Sequence, residues 1–222
     1  MSLSICCDFD GTICIPDSSE YLLEKFGLPG WKELDDAVWR GEITEREAFA
    51  RQVSLLRVSW EEARSALHSG VRIREGFSDF MSFCRAGGIP LAILSSGLRE
   101  LIDELLSRAG VSGIPVHSHQ ARIEGDHWTL IPWTGRRLAE HCSHCKCAYV
   151  VAEREAGKRV VYIGDGYTDL CPVQQADFVF ATGRLADECR RKKQTFFPFD
   201  SFRDVEDKLV EHFHNIEQDP GR

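Results

Sequence analysis

The run Cys7-Asp8-Phe9-Asp10-Gly11-Thr12 places two carboxylates two residues apart, where an apolar segment ends and a glycine turns the chain. In that arrangement one carboxylate can attack a phosphorus centre while its neighbour handles protons. Phosphoryl transfer also needs neutralisation of the phosphoryl oxygens and a proton for the leaving alkoxide, and the rest of the chain offers both. Asp8 is the expected nucleophile, forming an aspartyl-phosphate. Asp10 is the expected acid toward the leaving group and then the base toward water. Ser95, with the backbone N–H groups of Ser96, Gly97 and Gly11, is placed to donate to phosphoryl oxygens. Lys146 offers a point charge for the same oxygens. Asp165 offers a carboxylate to Mg2+, which takes oxygen ligands, and Asp169 follows it by one helical turn. Each residue alone has an ordinary reading as a polar turn, a helix N-cap or a solvated lysine. Their joint occurrence, in this order, points to chemistry.

The elements that must position these residues are βα units. Residues 3–7, 89–94, 160–163 and 178–181 are short apolar runs, each followed by small or polar residues. That rhythm predicts an α/β fold, a Rossmann-like parallel sheet with helices on both faces. Ligands then bind beyond the carboxyl ends of the strands, where the candidate residues fall. Lys158, a rival to Lys146, precedes residues 160–163 and so lies at the opposite end of the sheet. Between the first two strands lie about seventy residues that read as helices. Thr44-Glu45-Arg46-Glu47 and Ser59-Trp60-Glu61-Glu62 have capping-box spacing, and each should open a helix. Residues 17–85 are therefore expected to form a helical cap inserted into a core made of 1–16 and 86–222. Residues 120–131 are expected to form a hairpin around Glu124-Gly125-Asp126.

A 222-residue chain with 43% hydrophobic and 28% charged residues is of ordinary globular composition. The net charge of −8 argues against nucleic acid or an anionic membrane as partner, but not against a small phosphorylated metabolite beside a metal. No apolar run is of membrane-spanning length and the start lacks signal-peptide layout, so a cytoplasmic location is expected. The nine cysteines are then expected to be reduced thiols. His141, Cys142, His144, Cys145 and Cys147 crowd potential metal ligands together, yet no second ligand pair follows, which favours a cysteine-rich loop over a zinc site. Trp31, Trp39 and Trp60 could be cap core or the surface of a homodimer.

Asp-Phe-Asp-Gly-Thr at 8–12, the strand ending at Ser95, Lys146, and Gly164-Asp165-Gly166-Tyr167-Thr168-Asp169 together resemble the haloacid dehalogenase superfamily of phosphohydrolases, over nearly the whole chain. The resemblance implies a nucleophilic Asp8, an acid–base Asp10, and Mg2+ held by Asp8, the Asp10 carbonyl and the acidic pair of the last motif, with Asp165 a direct ligand and Asp169 behind it. The inserted helices look like that superfamily's C1 cap. Two branches compete. The cap run Phe49-Ala50-Arg51-Gln52-Val53-Ser54-Leu55-Leu56 is similar to phosphoserine phosphatases, with Asp17 where they bind the substrate amine. Gln52, however, stands where they place the arginine that grips a carboxylate, unless Arg51 substitutes. Ile131-Pro132-Trp133, the cysteine-rich run into Lys146, residues 181–189 and residues 197–202 resemble the 2-hydroxy-3-keto-5-methylthiopentenyl-1-phosphate phosphatases of methionine salvage, the favoured branch. The alternatives are a phosphoserine phosphatase, another small-metabolite phosphatase or phosphotransferase, and a non-catalytic phosphate-binding protein.

Overall fold

The computed structural model describes residues 2–138 and 144–218. Leu3–Cys7 (β1) forms the middle of a seven-stranded sheet, and all five residues are buried, as its apolar run requires. Two short elements, Cys14–Ile15 (β2) and Arg72–Ile73 (β3), pair antiparallel and bracket an inserted segment. That segment is four helices: Ser18–Phe26 (α1), Trp31–Trp39 (α2), Glu45–Leu55 (α3) and Trp60–Gly70 (α4). Both capping boxes form as the sequence implies. Thr44 and Glu47 cap α3 reciprocally, and Ser59 and Glu62 do the same for α4.

The core resumes with Phe77–Ala86 (α5), Leu91–Leu98 (β4), Arg99–Arg108 (α6), Val116–Glu124 (β5) and His127–Ile131 (β6). It continues through Lys146–Glu155 (α7), Arg159–Gly164 (β7), Phe178–Ala181 (β8), Gly183–Lys192 (α8), Phe197–Pro198 (β9) and Phe202–Gln218 (α9). The sheet order is β6-β5-β4-β1-β7-β8-β9, with every neighbouring pair parallel except β5–β6. Strand alternation splits the core between the two faces. Ile5, Cys7, Ile93, Val161 and Ile163 pack toward α5, α6 and α9, whereas Cys6, Leu94, Val160 and Tyr162 pack toward α7 and α8.

Two features depart from the sequence reading. Residues 77–85, expected in the cap, lie in α5, whose Phe77 and Phe80 pack against Phe202 of α9 in the core. Ser95-Ser96-Gly97, expected as a turn, lies within β4, where the register with β5 shifts between Leu94 and Leu98. The hairpin expected around Glu124-Gly125-Asp126 forms as β5–β6, and it also buttresses the insertion. The Trp128 indole N–H donates to Val58 O at 2.8 Å, Val58 N–H donates to Asp126 O at 3.1 Å, and Trp60 packs on Trp128. Trp60 thus packs within the molecule, and Trp31 is buried in the cap; the Trp39 side chain lies outside the described part. No helix among the described residues is long and apolar enough to cross a membrane.

Candidate active site

Parallel pairing of β1 with β4 and β7 brings Asp8, Ser95 and Asp165 to one rim. Asp8 directly follows β1 and its N–H donates to Ile163 O at 2.9 Å, continuing the ladder. Its Oδ1 accepts from Phe9 N–H at 2.7 Å and lies 2.8 Å from Lys146 Nζ. Lys146 opens α7 and is 1% exposed; it also lies 2.8 Å from Asp169 Oδ1 and donates to Thr168 Oγ1 at 2.9 Å. Burial works against that ammonium, but Asp169 and Asp8 outweigh it and hold the lysine above its ordinary range.

Asp169 is fully occupied by donors. Oδ1 accepts from Lys146 and from the Tyr162 hydroxyl at 2.6 Å, and Oδ2 accepts from the N–H groups of Asp165 and Gly166, both at 3.0 Å. Burial is outweighed here too, by Lys146 first, so Asp169 stays below the usual carboxylate range. Asp8 and Asp165 go the other way. Burial, then the charge of Asp169, drives Asp8 well up despite Lys146, and the same two causes push Asp165 up to about 7. Asp165 Oδ1 accepts from Thr12 Oγ1 at 2.7 Å.

Carboxylate oxygens of Asp8, Asp165 and Asp169 lie within 4.8 Å of one another. Hard oxygen donors crowded in a desolvated place, with Asp8 and Asp165 pushed up by burial and by the charge of Asp169, are a donor set that fits a divalent cation such as Mg2+. Since four donors already saturate Asp169, the oxygens left for direct ligation belong to Asp8 and Asp165. Gly11 permits this approach. It has φ +75°, and a Cβ there would fall 2.2 Å from Asp165 Oδ2.

Asp10 faces the start of α1. Its Oδ1 accepts from Ser18 N–H at 2.8 Å and Ser18 Oγ at 2.6 Å, while Oδ2 is buried without a partner. Gly97 makes room for it, because a Cβ at Gly97 would lie 2.3 Å from Asp10 Oδ2. Gly97 does not offer the N–H expected of it: that group donates to Ser95 Oγ at 2.9 Å. Ser96 Oγ is buried without a partner and Ser96 lines the cavity.

These residues form the floor of a cavity of about 910 Å3 roofed by the insertion. Asp17 lines it as the N-cap of α1, accepting from Glu20 N–H at 2.9 Å, and burial with the charge of Asp10 pushes its carboxyl up. Gln52 lines it too, but its amide is committed, donating to Trp31 O at 3.2 Å and Asp35 Oδ1 at 2.8 Å. Arg51 corrects the sequence reading. Ala48 and Gln52 share the inner face of α3, which turns Arg51 out to solvent, away from the cavity. Thr12, Tyr162 and Thr168, which organise Asp165, Asp169 and Lys146, were not singled out from the sequence. Thr12 and Thr168 lie inside quoted motifs, and Tyr162 sits in the strand leading into one.

Of the cysteine–histidine run, His141 and Cys142 fall outside the described residues. His144 is buried between Trp133 and His119, and the three-aspartate cluster is the one candidate metal group among the described residues.

A family model described as haloacid dehalogenase-like hydrolase matches residues 5–171. Pdp3-interacting factor 1 of Schizosaccharomyces pombe is 31% identical over 215 residues, covering 93% of this chain and 94% of that protein. A 2-hydroxy-3-keto-5-methylthiopentenyl-1-phosphate phosphatase of Bacillus velezensis is 31% identical over 205 residues, covering 90% of this chain and 87% of that protein. Among solved structures, a substrate-bound phosphoserine phosphatase complex superposes with a TM-score of 0.69 at 16% identity, covering 93% of this chain and 97% of that one, a likeness of fold.

Proposed function

The chain belongs to the haloacid dehalogenase-like hydrolases and is a phosphatase of that family, and from this premise we propose a two-step hydrolysis through Asp8 with 2-hydroxy-3-keto-5-methylthiopentenyl-1-phosphate as substrate. The observation that carries the chemistry is the convergence of Asp8, Asp165 and the buried Lys146 on the floor of a roofed cavity. Asp8 attacks the phosphorus; the bond to the leaving oxygen breaks, and that oxygen takes its electron pair and a proton from Asp10. Water then attacks the phosphorus of the aspartyl-phosphate, Asp10 takes the water's proton, and the bond to Asp8 breaks to release phosphate. Asp10 Oδ2 is the oxygen suited to carry the proton, because Oδ1 is already committed to Ser18. Lys146 neutralises charge in both steps, and Ser95 and Ser96 face the incoming oxygens. Mg2+ held by Asp8, Asp165 and the Asp10 carbonyl would supply the remaining positive charge that lets an anion approach an anion.

The cap walls support the substrate. Leu23, Trp31, Val38, Ala48 and Phe49 line the cavity, and the cap's own lining cation, Lys32, is paired with Glu24. Glu20, Asp35, Asp36 and Glu45 add negative charge to the same walls. With Gln52 bonded to α2 and Arg51 outside, a substrate carboxylate finds no cap guanidinium, whereas a thioether tail finds an apolar wall. The relative named for the methionine-salvage substrate agrees with this choice. A comparison of kcat/KM for the methylthiopentenyl phosphate and for phosphoserine tests it. The expected order is a strong preference for the former; a phosphoserine preference of about tenfold or more would replace this substrate assignment.

A further inference from the structure

The turn that follows the nucleophile is gripped from behind by one arginine of the returning cap segment. Arg74 Nη2 donates to Gly11 O at 2.6 Å, Nε donates to Thr12 O at 2.7 Å, and the Arg74 backbone N–H donates to Ile13 O at 2.7 Å. Three consecutive carbonyls thus end on one residue. Its remaining arm, Nη1, donates to Asp200 O at 3.0 Å, and the guanidinium lies over the Phe199 ring at 5.3 Å. From the inner side of the same turn, Phe9 O accepts from the N–H groups of Thr12, Ile13 and Cys14. The loop is therefore fixed on both sides. The same turn carries Asp10, holds Gly11 against Asp165 Oδ2, and aims Thr12 Oγ1 at Asp165 Oδ1.

We propose that Arg74 is a positioning residue for the reaction, setting the turn 10–13 against Asp8 and Asp165 and fastening the exit of the inserted cap to that turn. It is half-buried and does not line the cavity, so it acts through the turn rather than on substrate. An arginine is required because the acceptors belong to two separate segments and need a planar fork of donors; a lysine ammonium at the same place satisfies fewer of them. The role rests on the assignment of Asp8 and Asp10 given above.

The test compares wild type with Arg74→Ala, Arg74→Lys and, as control, Arg203→Ala, which removes only an exposed pair with the neighbouring Glu75. Hydrolysis of an aryl phosphate with Mg2+ is measured beside folded fraction by circular dichroism. The expected result is a fall of about 100-fold in kcat for Arg74→Ala with KM changed by less than about threefold, partial restoration by added guanidinium ion, and an intermediate Arg74→Lys. Arg203→Ala should match wild type. A kcat within about twofold of wild type in both Arg74 variants, or a loss that follows folded fraction alone without guanidinium rescue, overturns the role. If Arg74→Ala does not fold, Arg74→Lys decides by the same criteria. A wild type inactive on every phosphomonoester sinks the functional assignment and this role together; an active wild type with fully active variants sinks this role alone.

Discussion

Lys146 Nζ stands 2.8 Å from Asp8 Oδ1 in a place where both side chains are almost wholly withdrawn from water. Among the described residues the lysine is the one positive side chain paired with Asp8, and it holds Asp169 at the same time. Removing it as Lys146→Met leaves buried carboxylates uncompensated, so the protein should lose about 3–5 kcal/mol of stability together with its turnover. Asp8→Asn should separate the two effects. It takes away one of the mutually repelling carboxylates and leaves Lys146 bonded to Asp169. Thermal melting without metal should show a folded state at least as stable as wild type, while phosphatase activity disappears. A marked fall in melting temperature for Asp8→Asn would mean that Asp8 is a structural ion-pair member.

Gly11→Ala should be damaging on two counts. Positive φ disfavours any side chain by roughly 1–2 kcal/mol, and the new methyl would fall 2.2 Å from Asp165 Oδ2. The Asp165 carboxylate must then move. The expected outcome is a lower melting temperature plus a weakened dependence of activity on Mg2+, read by titrating the metal; an unchanged titration would show that Asp165 is not held in place by this contact.

Gln52 separates cap architecture from chemistry. Gln52→Leu removes the side-chain donor shared by the Trp31 carbonyl and the exposed Asp35 carboxylate, at a cost of about 0.5–1.5 kcal/mol. Because α2 carries Trp31 and Val38 into the cavity wall, KM for substrates with a long tail should rise, and kcat for acetyl phosphate should stay near wild type. A selective gain for carboxylate-bearing substrates, or an equal loss for all, would contradict the strut role.

His144 and His119 give the protein an acid-sensitive flank. Burial, then Lys146, pushes His144 from 6.5 down to about 2, and burial with Arg46 and Arg137 pushes His119 down to about 4. The sign follows directly. Above pH 6.5 neither state binds these protons; below it the unfolded chain takes them up and the folded chain refuses them, so stability falls as pH drops. Each such proton costs about 1.4 kcal/mol per pH unit. The raised carboxyls of Asp8 and Asp165 act in the opposite direction, so the informative quantity is a difference. Urea unfolding at pH 7 and pH 5 should show a smaller acid loss in His144→Phe than in wild type. Equal losses would indicate that His144 is protonated in the folded protein.

Much of this was legible in the sequence because it is local. β1, β4, β7 and β8 announce themselves as apolar runs with polar ends, and the two capping boxes mark α3 and α4 by spacing alone. Asp8, Lys146 and Asp165 stand out as candidates because each sits where a strand or helix must begin or end. The rest depends on contacts far apart in the chain. Arg74 meets Gly11 across sixty-three positions, and nothing near residue 74 signals it. β2, β3 and β9 have two residues each, too few to carry a period. Arg51 and Gln52 differ in exposure only by their angle around α3, which the weak amphipathicity of that helix left undecided.

The most direct test of the central claim is whether phosphate passes through Asp8. Wild-type protein with Mg2+ and a phosphomonoester substrate would be quenched in acid during turnover and its peptides weighed by mass spectrometry. The prediction is one phosphoryl group on the peptide containing Asp8, labile to hydroxylamine and absent from Asp8→Asn. Turnover with no adduct on that peptide, together with retained activity in Asp8→Asn, would contradict the account.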